Sequence, residues 1–260
     1  MDIILYNIAI AFACLFIGYL FGSIPFGIII SKLKFHSDVR NFGSNNSGGT
    51  NVARVYGKKW GIITILLDML KVIVPIWIVW AVFTFTPLCQ AFKDTFGQDL
   101  WNVTLYLFLT PLGAALGHCW PLFAGFKGGK TVAVYAGFGI GTSWALVLIG
   151  IVGFFVPLKT SKYVSLSSII MAITTAICSW IICILKYTLL SGFDMWIQNI
   201  TMWGFGLIGP YFVCGWEYSL VVTLISILLI VRHKANIVRL FKGTENKIGS
   251  KKKQQEIVQN

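Results

Sequence analysis

"GIITILLDMLKVIVPIWIVWAVF", residues 61–83, carries two charges, Asp68 and Lys71, in an otherwise apolar run. A crossing of the bilayer core takes about 20 predominantly apolar residues, and this run supplies them. Similar runs lie on both sides of it, at 8–31, 101–117, 144–158, 164–187 and 206–231. The whole chain agrees, with 57% hydrophobic and 12% charged residues among 260 and a mean hydropathy of +0.78. Such values fall outside the range of soluble domains. The expected fold is an all-α integral membrane protein.

Charge distribution gives the topology. A net charge of +12 would suggest nucleic acid in a soluble chain, but here the basic residues gather in four places: 32–59, Lys127 with Lys130, Lys159 with Lys162, and 232–253. The segments around Asp94 and Asp99 and around Asp194 and Glu217 hold few cations, Lys93 and Lys186 among them. The positive-inside rule puts the four basic places in the cytoplasm, the N-terminus outside and the C-terminus inside. Lys130 and Lys159 on one side require two crossings within 131–158, so the Gly-rich run 131–143 becomes a short or partly inserted helix turning at Gly141–Ser143. Seven transmembrane helices are expected, with five and a re-entrant segment as the alternative. Irregular backbone at that depth needs protein or a wet cavity around it.

The start, "MDII", has an acid where a cleavable signal has basic residues, and the first apolar run is long and followed by Lys32 and Lys34. It reads as an uncleaved anchor. Cys14, Cys89, Cys119, Cys178, Cys183 and Cys214 show no CxxC spacing and read as small apolar residues of a membrane core. Asp68 and Lys71, three apart on one helix, are expected to pair near the interface and hold the loop above them. Pro25 reads as a kink, and His36 and His118 as structural residues.

Four polar stretches meet the same membrane face under this topology. The first includes "FGSNNSGGTNVAR" (42–54), with three Gly, two Ser, three Asn and a Thr ahead of an Arg. The others are "GHCWPLFAGFKGGKTVAVYAG" (117–137), "LKTSKYVSLSS" (158–168) and "VRHKANIVRLFKGTENK" (231–247). "GGKT" ends like a Walker A loop, but its first Gly would have to be residue 124, which is Ala, and no buried strand precedes it. What carries over is the chemistry: closely spaced glycines with a cation offer backbone N–H groups and charge to an anion. A transporter of organic phosphates is the rival class, but the chain shows no internal repeat of the kind transporters use.

With these residues in view, "GSxNxGxTNxxR" at Gly43–Arg54, "GHxxPxFxxFKGGK" at Gly117–Lys130 and "RHxxNIxRLxxGTExK" at Arg232–Lys247 resemble the three motifs of the bacterial acyl-phosphate:glycerol-3-phosphate acyltransferases. "GSIPFG" at Gly22–Gly27, "LLDMLK" at Leu66–Lys71 and "KYVSLSS" at Lys162–Ser168 extend the likeness over nearly the whole chain. The resemblance implies a seven-helix enzyme of the bacterial cell membrane, with its site facing the cytoplasm. Its reaction would move a fatty acyl group from acyl phosphate to the sn-1 hydroxyl of glycerol 3-phosphate, giving lysophosphatidic acid and phosphate. No cofactor, metal or nucleic acid is implied. The partners are the two substrates and membrane lipid, and both a monomer and an association with the enzyme that makes acyl phosphate are left open.

By position in the motifs, Ser44, Arg54, Lys130 and His233 are the implied catalytic residues. Asn46, Gly48, Thr50, Asn51, Lys127, Gly128, Gly129, Ser165, Asn236 and Glu245 are the implied substrate-binding ones, with Ser168 the alternative to Ser165 and the role of Glu245 open. Whether His233 removes the hydroxyl proton or only positions substrate is also open, with a phosphate oxygen preferred as the base. Three positions depart from the usual pattern: Asn45 for Gly, Gly49 for Ala, and Thr131 for Gly. Residues 1–246 are expected to form one domain, with motif loops at 32–60, 117–131, 159–168 and 232–247. Residues 247–260 are expected to be a basic tail.

Overall fold

The computed structural model describes residues 2–87, 94, 103–188 and 215–248. Cys89, Lys93, Asp99, Asp194, Cys214, the first part of the 206–231 run and most of the expected tail lie outside the described residues. Every regular element among the described residues is helical. The helices are α1 (Asp2–Gly22), α2 (Phe26–Phe35), α3 (Gly49–Tyr56), α4 (Lys58–Phe85), α5 (Val103–Cys119), α6 (Val132–Thr142), α7 (Trp144–Ser161), α8 (Val164–Thr188), α9 (Trp216–Arg232) and α10 (Lys234–Phe241).

Among the described residues three stretches are long and apolar enough to cross a bilayer, Leu5–Phe35 through the α1–α2 break, Lys58–Phe83 and Val164–Leu185. They become four if the bent pair α9–α10 is one span. The short element expected after Lys130 is α6, and its turn falls at Ser143, whose hydroxyl caps α7 by accepting the Leu146 amide. The 11 residues of α6 rise only about 16 Å, half the thickness of the hydrocarbon core. Helix length among the described residues therefore marks three or four full crossings, where charge suggested seven for the whole chain.

The break between α1 and α2 has a chemical cause. Pro25 has no N–H and N-caps α2 without a side-chain bond, so the chain stops and restarts there. Lys71 of α4 donates to the Ile24 carbonyl at 2.9 Å and pairs with Asp68 at 2.8 Å, both side chains almost wholly buried. His118 Nδ1 lies 3.8 Å from the same Asp68 carboxylate. The expected ion pair is present, but it supports the helix break rather than the loop above α4.

Close packing of α1 on α5 follows from four glycines. A Cβ at Gly18 or Gly22 would overlap the carbonyls of Thr110 and Ala114, and one at Gly113 or Gly117 those of Leu15 and Tyr19. This small-xxx-small spacing on both helices lets two backbones touch where lipid gives little hydrophobic drive between helices. The middle of the bundle holds Phe108, Phe138 and Tyr218, with the Phe108 and Tyr218 rings 4.9 Å apart. A buried polar node ties three helices: the Tyr135 hydroxyl of α6 meets Thr175 of α8 at 2.5 Å and Ser226 of α9 at 2.9 Å. In hydrocarbon such hydroxyls need one another, so they fix helix rotation as well as contact. Cys14 and Cys119 are buried free thiols, and Cys183 is buried as well, as expected of small core residues.

Candidate active site

The first polar loop is organised by one side chain. Asn51, 2% exposed, donates through Nδ2 to the carbonyls of Val39, Phe42 and Asn46 at 3.1, 3.0 and 2.9 Å. Its Oδ1 accepts the Ser44 amide at 2.8 Å and the Arg54 guanidinium at 3.2 Å. Both atoms are fully engaged within the protein. Asn51, expected to contact substrate, thus sets Ser44 against Arg54 and builds the loop. Asn46 likewise turns the chain by accepting the Gly48 amide at 2.9 Å.

Glycines serve this loop by fit. Gly43 stands at φ +65°, where a Cβ would strike the Asn51 carbonyl oxygen. At Gly49 a Cβ would come within 2.7 Å of the Gly61 carbonyl and press on Ile65. That accounts for Gly where the family pattern has Ala, because α3 sits here directly on α4. Asn45 takes φ 55° in place of the usual Gly, a left-handed conformation that Asn tolerates.

The second loop is held by backbone. The amides of Gly128 and Gly129 donate to the carbonyls of Cys119 and His118 at 3.2 and 2.9 Å. Arg232 donates to the Gly128 and Gly129 carbonyls at 3.3 and 3.2 Å. A Cβ at Gly129 would run into the His118 ring. These two amides, expected to form an anion nest, close a turn packed on His118 that leads into Lys130. Arg40 joins the two loops, reaching the Ala124 and Lys127 carbonyls at 2.8 and 3.2 Å while paired with Asp38. That pairing holds the Asp38 carboxyl below its ordinary range.

Thr131, where the pattern has Gly, takes φ 70° and N-caps α6. Its buried hydroxyl meets Cys119 Sγ at 2.9 Å. A β-branched residue in the left-handed region is strained, and the strain sits next to Lys130.

Three of the polar stretches converge beyond these loops. Lys130 Nζ donates to Asn236 Oδ1 at 2.7 Å, and Asn236 Nδ2 donates to Glu245 Oε1 at 2.7 Å. Ser165 donates to the same carboxylate oxygen at 3.0 Å, and Arg239 binds the other at 2.7 Å. Ser168 instead donates to the Val164 carbonyl of its own helix, so Ser165 is the hydroxyl that reaches the cluster. The Ile248 amide also bonds the Lys162 carbonyl at 2.9 Å and Lys247 lies over the Tyr163 ring. The segment expected to start the tail therefore touches the bundle. Lys130 at the start of α6 and Lys162 at the end of α7 meet at one end of the molecule.

Burial and the neighbouring Arg239, Arg54 and Arg232 push the Lys130 ammonium down to about 8, against the pull of Glu245. Burial raises the Glu245 carboxyl, but the bonds from Asn236, Arg239 and Ser165 outweigh it and leave it below its ordinary value. His233, 3% exposed at the α9–α10 bend, donates from Nδ1 to the Leu229 carbonyl at 2.8 Å. That bond leaves Nε2 as an acceptor. Burial pushes its imidazole down to about 4, so the ring is neutral at ordinary pH.

Ser44 and Arg54 are thus linked through Asn51, and Lys130, Ser165 and Asn236 through one another and Glu245, with His233 at the head of the helix that carries Asn236. Thr50 and Lys127 stand exposed at the rim. Sequence reasoning passed over Arg40, Arg232 and Arg239. Arg239 had a signal, since it lies one helical turn past Asn236.

A helical membrane protein that gathers Arg54, Lys130, Arg232 and Arg239 around hydroxyl and amide donors at one end defines a class: a membrane protein built to handle an anionic headgroup. The family described as glycerol-3-phosphate acyltransferase matches residues 12–243, and the chain belongs to it. The glycerol-3-phosphate acyltransferase of Acholeplasma laidlawii is 36% identical over 94% of both chains. That of Staphylococcus haemolyticus is 40% identical over 90% of this chain and 96% of its own. Among solved structures, PlsY, an integral membrane glycerol 3-phosphate acyltransferase, in its glycerol 3-phosphate form superposes with a TM-score of 0.67 and 32% identity, covering 92% of this chain and 96% of that one. Its lysophosphatidic acid form gives 0.65 and 30%.

Proposed function

We propose that the protein moves an acyl group from acyl phosphate to the sn-1 hydroxyl of glycerol 3-phosphate, at a site facing the cytoplasm of a bacterial cell membrane. The observation that carries this is the Lys130–Asn236–Glu245–Ser165 chain flanked by Arg54 and Arg239, a concentration of cations and donors suited to two phosphate substrates. Arg54 has the planar fork that takes a phosphate by two parallel bonds, and Ser44 stands beside it through Asn51. Lys130 supplies a partly desolvated positive charge, where a charge acts more strongly than in water.

The hydroxyl oxygen of glycerol 3-phosphate bonds to the acyl carbon, the bond from that carbon to the phosphate oxygen breaks, and the hydroxyl proton passes to a phosphate oxygen. Lysophosphatidic acid and inorganic phosphate leave. A phosphate dianion, with a conjugate acid near roughly 6, is a better base than an imidazole held near 4. His233 is therefore read as an acceptor that orients the hydroxyl through Nε2, beside Asn236. The polar N-terminal and C-terminal motif loops on one face, a seven-crossing topology and a single domain through 246 belong to the same reading.

The test is purified protein with labelled glycerol 3-phosphate. Acyl phosphate should give lysophosphatidic acid in the presence of a chelator, and acyl-CoA alone should not; equal turnover with acyl-CoA overturns the donor assignment. His233→Gln should raise the acceptor KM with a small change in kcat, whereas a 10²-fold or larger kcat loss at unchanged KM, the range of general-base removal, would make His233 the base.

A further inference from the structure

α10 has two faces with different tasks. Its inner face carries Asn236, 5% exposed, and Arg239, which reaches Glu245. Its outer face carries Lys234, Val238, Phe241 and Lys242, spaced i, i+4, i+7 and i+8 and so aligned along one side. Phe241 is 89% exposed and Val238 46%, and both lysines point to solvent-accessible space. A phenylalanine that exposed, between two lysines, on a helix bent 57° from the apolar span before it, is what an interfacial helix presents to lipid. The charge selects the lipid: two cations flanking an aromatic complement anionic headgroups rather than zwitterionic ones.

We infer that the outer face of α10 docks on anionic phospholipid, and that this contact holds Asn236 and Glu245 in register with Lys130. The helix is short, and on its inner face the Asn236 side chain bonds Lys130 and Glu245 while Arg239 bonds Glu245. A surface that fixes its tilt therefore fixes the geometry of the cluster. The coupling rests on the site reading above, whereas the docking does not.

Hydrogen exchange over residues 234–248, measured on the full chain in vesicles, tests the docking without turnover. Replacing about a third of a zwitterionic lipid by an anionic one should raise protection about tenfold and raise turnover several-fold. The Lys234→Gln, Phe241→Ser, Lys242→Gln variant should lose both responses while matching the unaltered protein in zwitterionic vesicles. High salt, which screens surface charge, should reverse both in the unaltered protein. Sodium sulfate in zwitterionic vesicles should not reproduce the protection; if it does, a free anion site and not a membrane surface is the ligand. Protection indifferent to anionic lipid overturns the docking. Protection that rises with no gain in turnover overturns the coupling, and failure of acyl phosphate as donor would leave the exchange result standing.

Discussion

The loops at 42–54 and 117–131 look alike in sequence, both rich in Gly and both ending near a cation, yet they are held in opposite ways. The first is knitted by a side chain, Asn51, which bonds five groups. The second is knitted by its own backbone, with Arg232 bracing the carbonyls and His118 filling the space above Gly129. The Gly48 amide in the first loop and the Gly128 and Gly129 amides in the second bond within the protein. Gly-rich composition here marks tight turns that lead into Arg54 and Lys130.

That contrast breaks first at the two cations. Arg54→Ala and Lys130→Ala should each remove most turnover while the protein still inserts, because truncating one partner of a desolvated charge contact costs roughly 2–5 kcal/mol. Arg54→Lys should recover little, since it lacks the fork. Near-normal kcat/KM in either Ala variant would mean that these cations only anchor the chain at headgroups.

The next largest effect sharpens the difference between the loops. Asn51→Ala leaves buried carbonyls without donors, at about 1–3 kcal/mol for an unsatisfied group, and should lower both thermal stability and turnover. Gly129→Ala drives a Cβ into the His118 ring, and should harm turnover more than stability because the displaced residue is next to Lys130. A Gly129→Ala, His118→Ala double variant should recover part of the loss. No recovery would separate Gly129 from His118.

A smaller effect is expected from pH. The folded Lys130 is shifted down to about 8, so its charge is present below that pH and lost as pH rises through it, well before an ordinary lysine would titrate. One pH unit above the shift, about a tenth of free enzyme keeps the charge, and apparent substrate affinity should fall roughly tenfold with it. In Lys130→Arg the alkaline limb should vanish, because guanidinium stays protonated. An unchanged limb assigns it to another group. Smallest of all, Thr131→Gly should raise stability by up to about 1 kcal/mol, the relief of left-handed strain less the entropy of glycine. A fall in melting temperature would mean that the Thr131–Cys119 contact outweighs the strain.

Much of this was legible in the chain. The four polar stretches could be assigned to one end because Lys and Arg mark an end directly, and the turn at Ser143 followed from needing Lys130 and Lys159 together. Ser165 could be preferred over Ser168 only by motif position, whereas its bond to Glu245 needed coordinates, since the two lie 80 residues apart. The loop-building role of Asn51 was not legible, because an Asn in a polar loop has the same formula whether it faces ligand or backbone. The α1–α5 contact was written as Gly18-x-x-x-Gly22 and Gly113-x-x-x-Gly117, but Gly18 and Gly113 were counted only as hydrophobic length and Gly22 and Gly117 only as motif positions. Helix count stayed beyond reach of the charge pattern, because basic residues report sides and not how far a helix such as α6 travels.

The glycine contact between α1 and α5 has a consequence in time. Its two halves are separated by about ninety residues, which a ribosome takes about 5–20 s to add. For that interval α1 sits in the bilayer with its glycine side uncovered, and any helix offering a similar flat side is a competitor. Assembly of the site therefore waits on a late docking event, because α5 ends in the His118 and Cys119 that hold the second loop. A Gly113→Ala chain should accumulate in the membrane with α1 inserted and unpartnered, the population that membrane quality-control proteases remove.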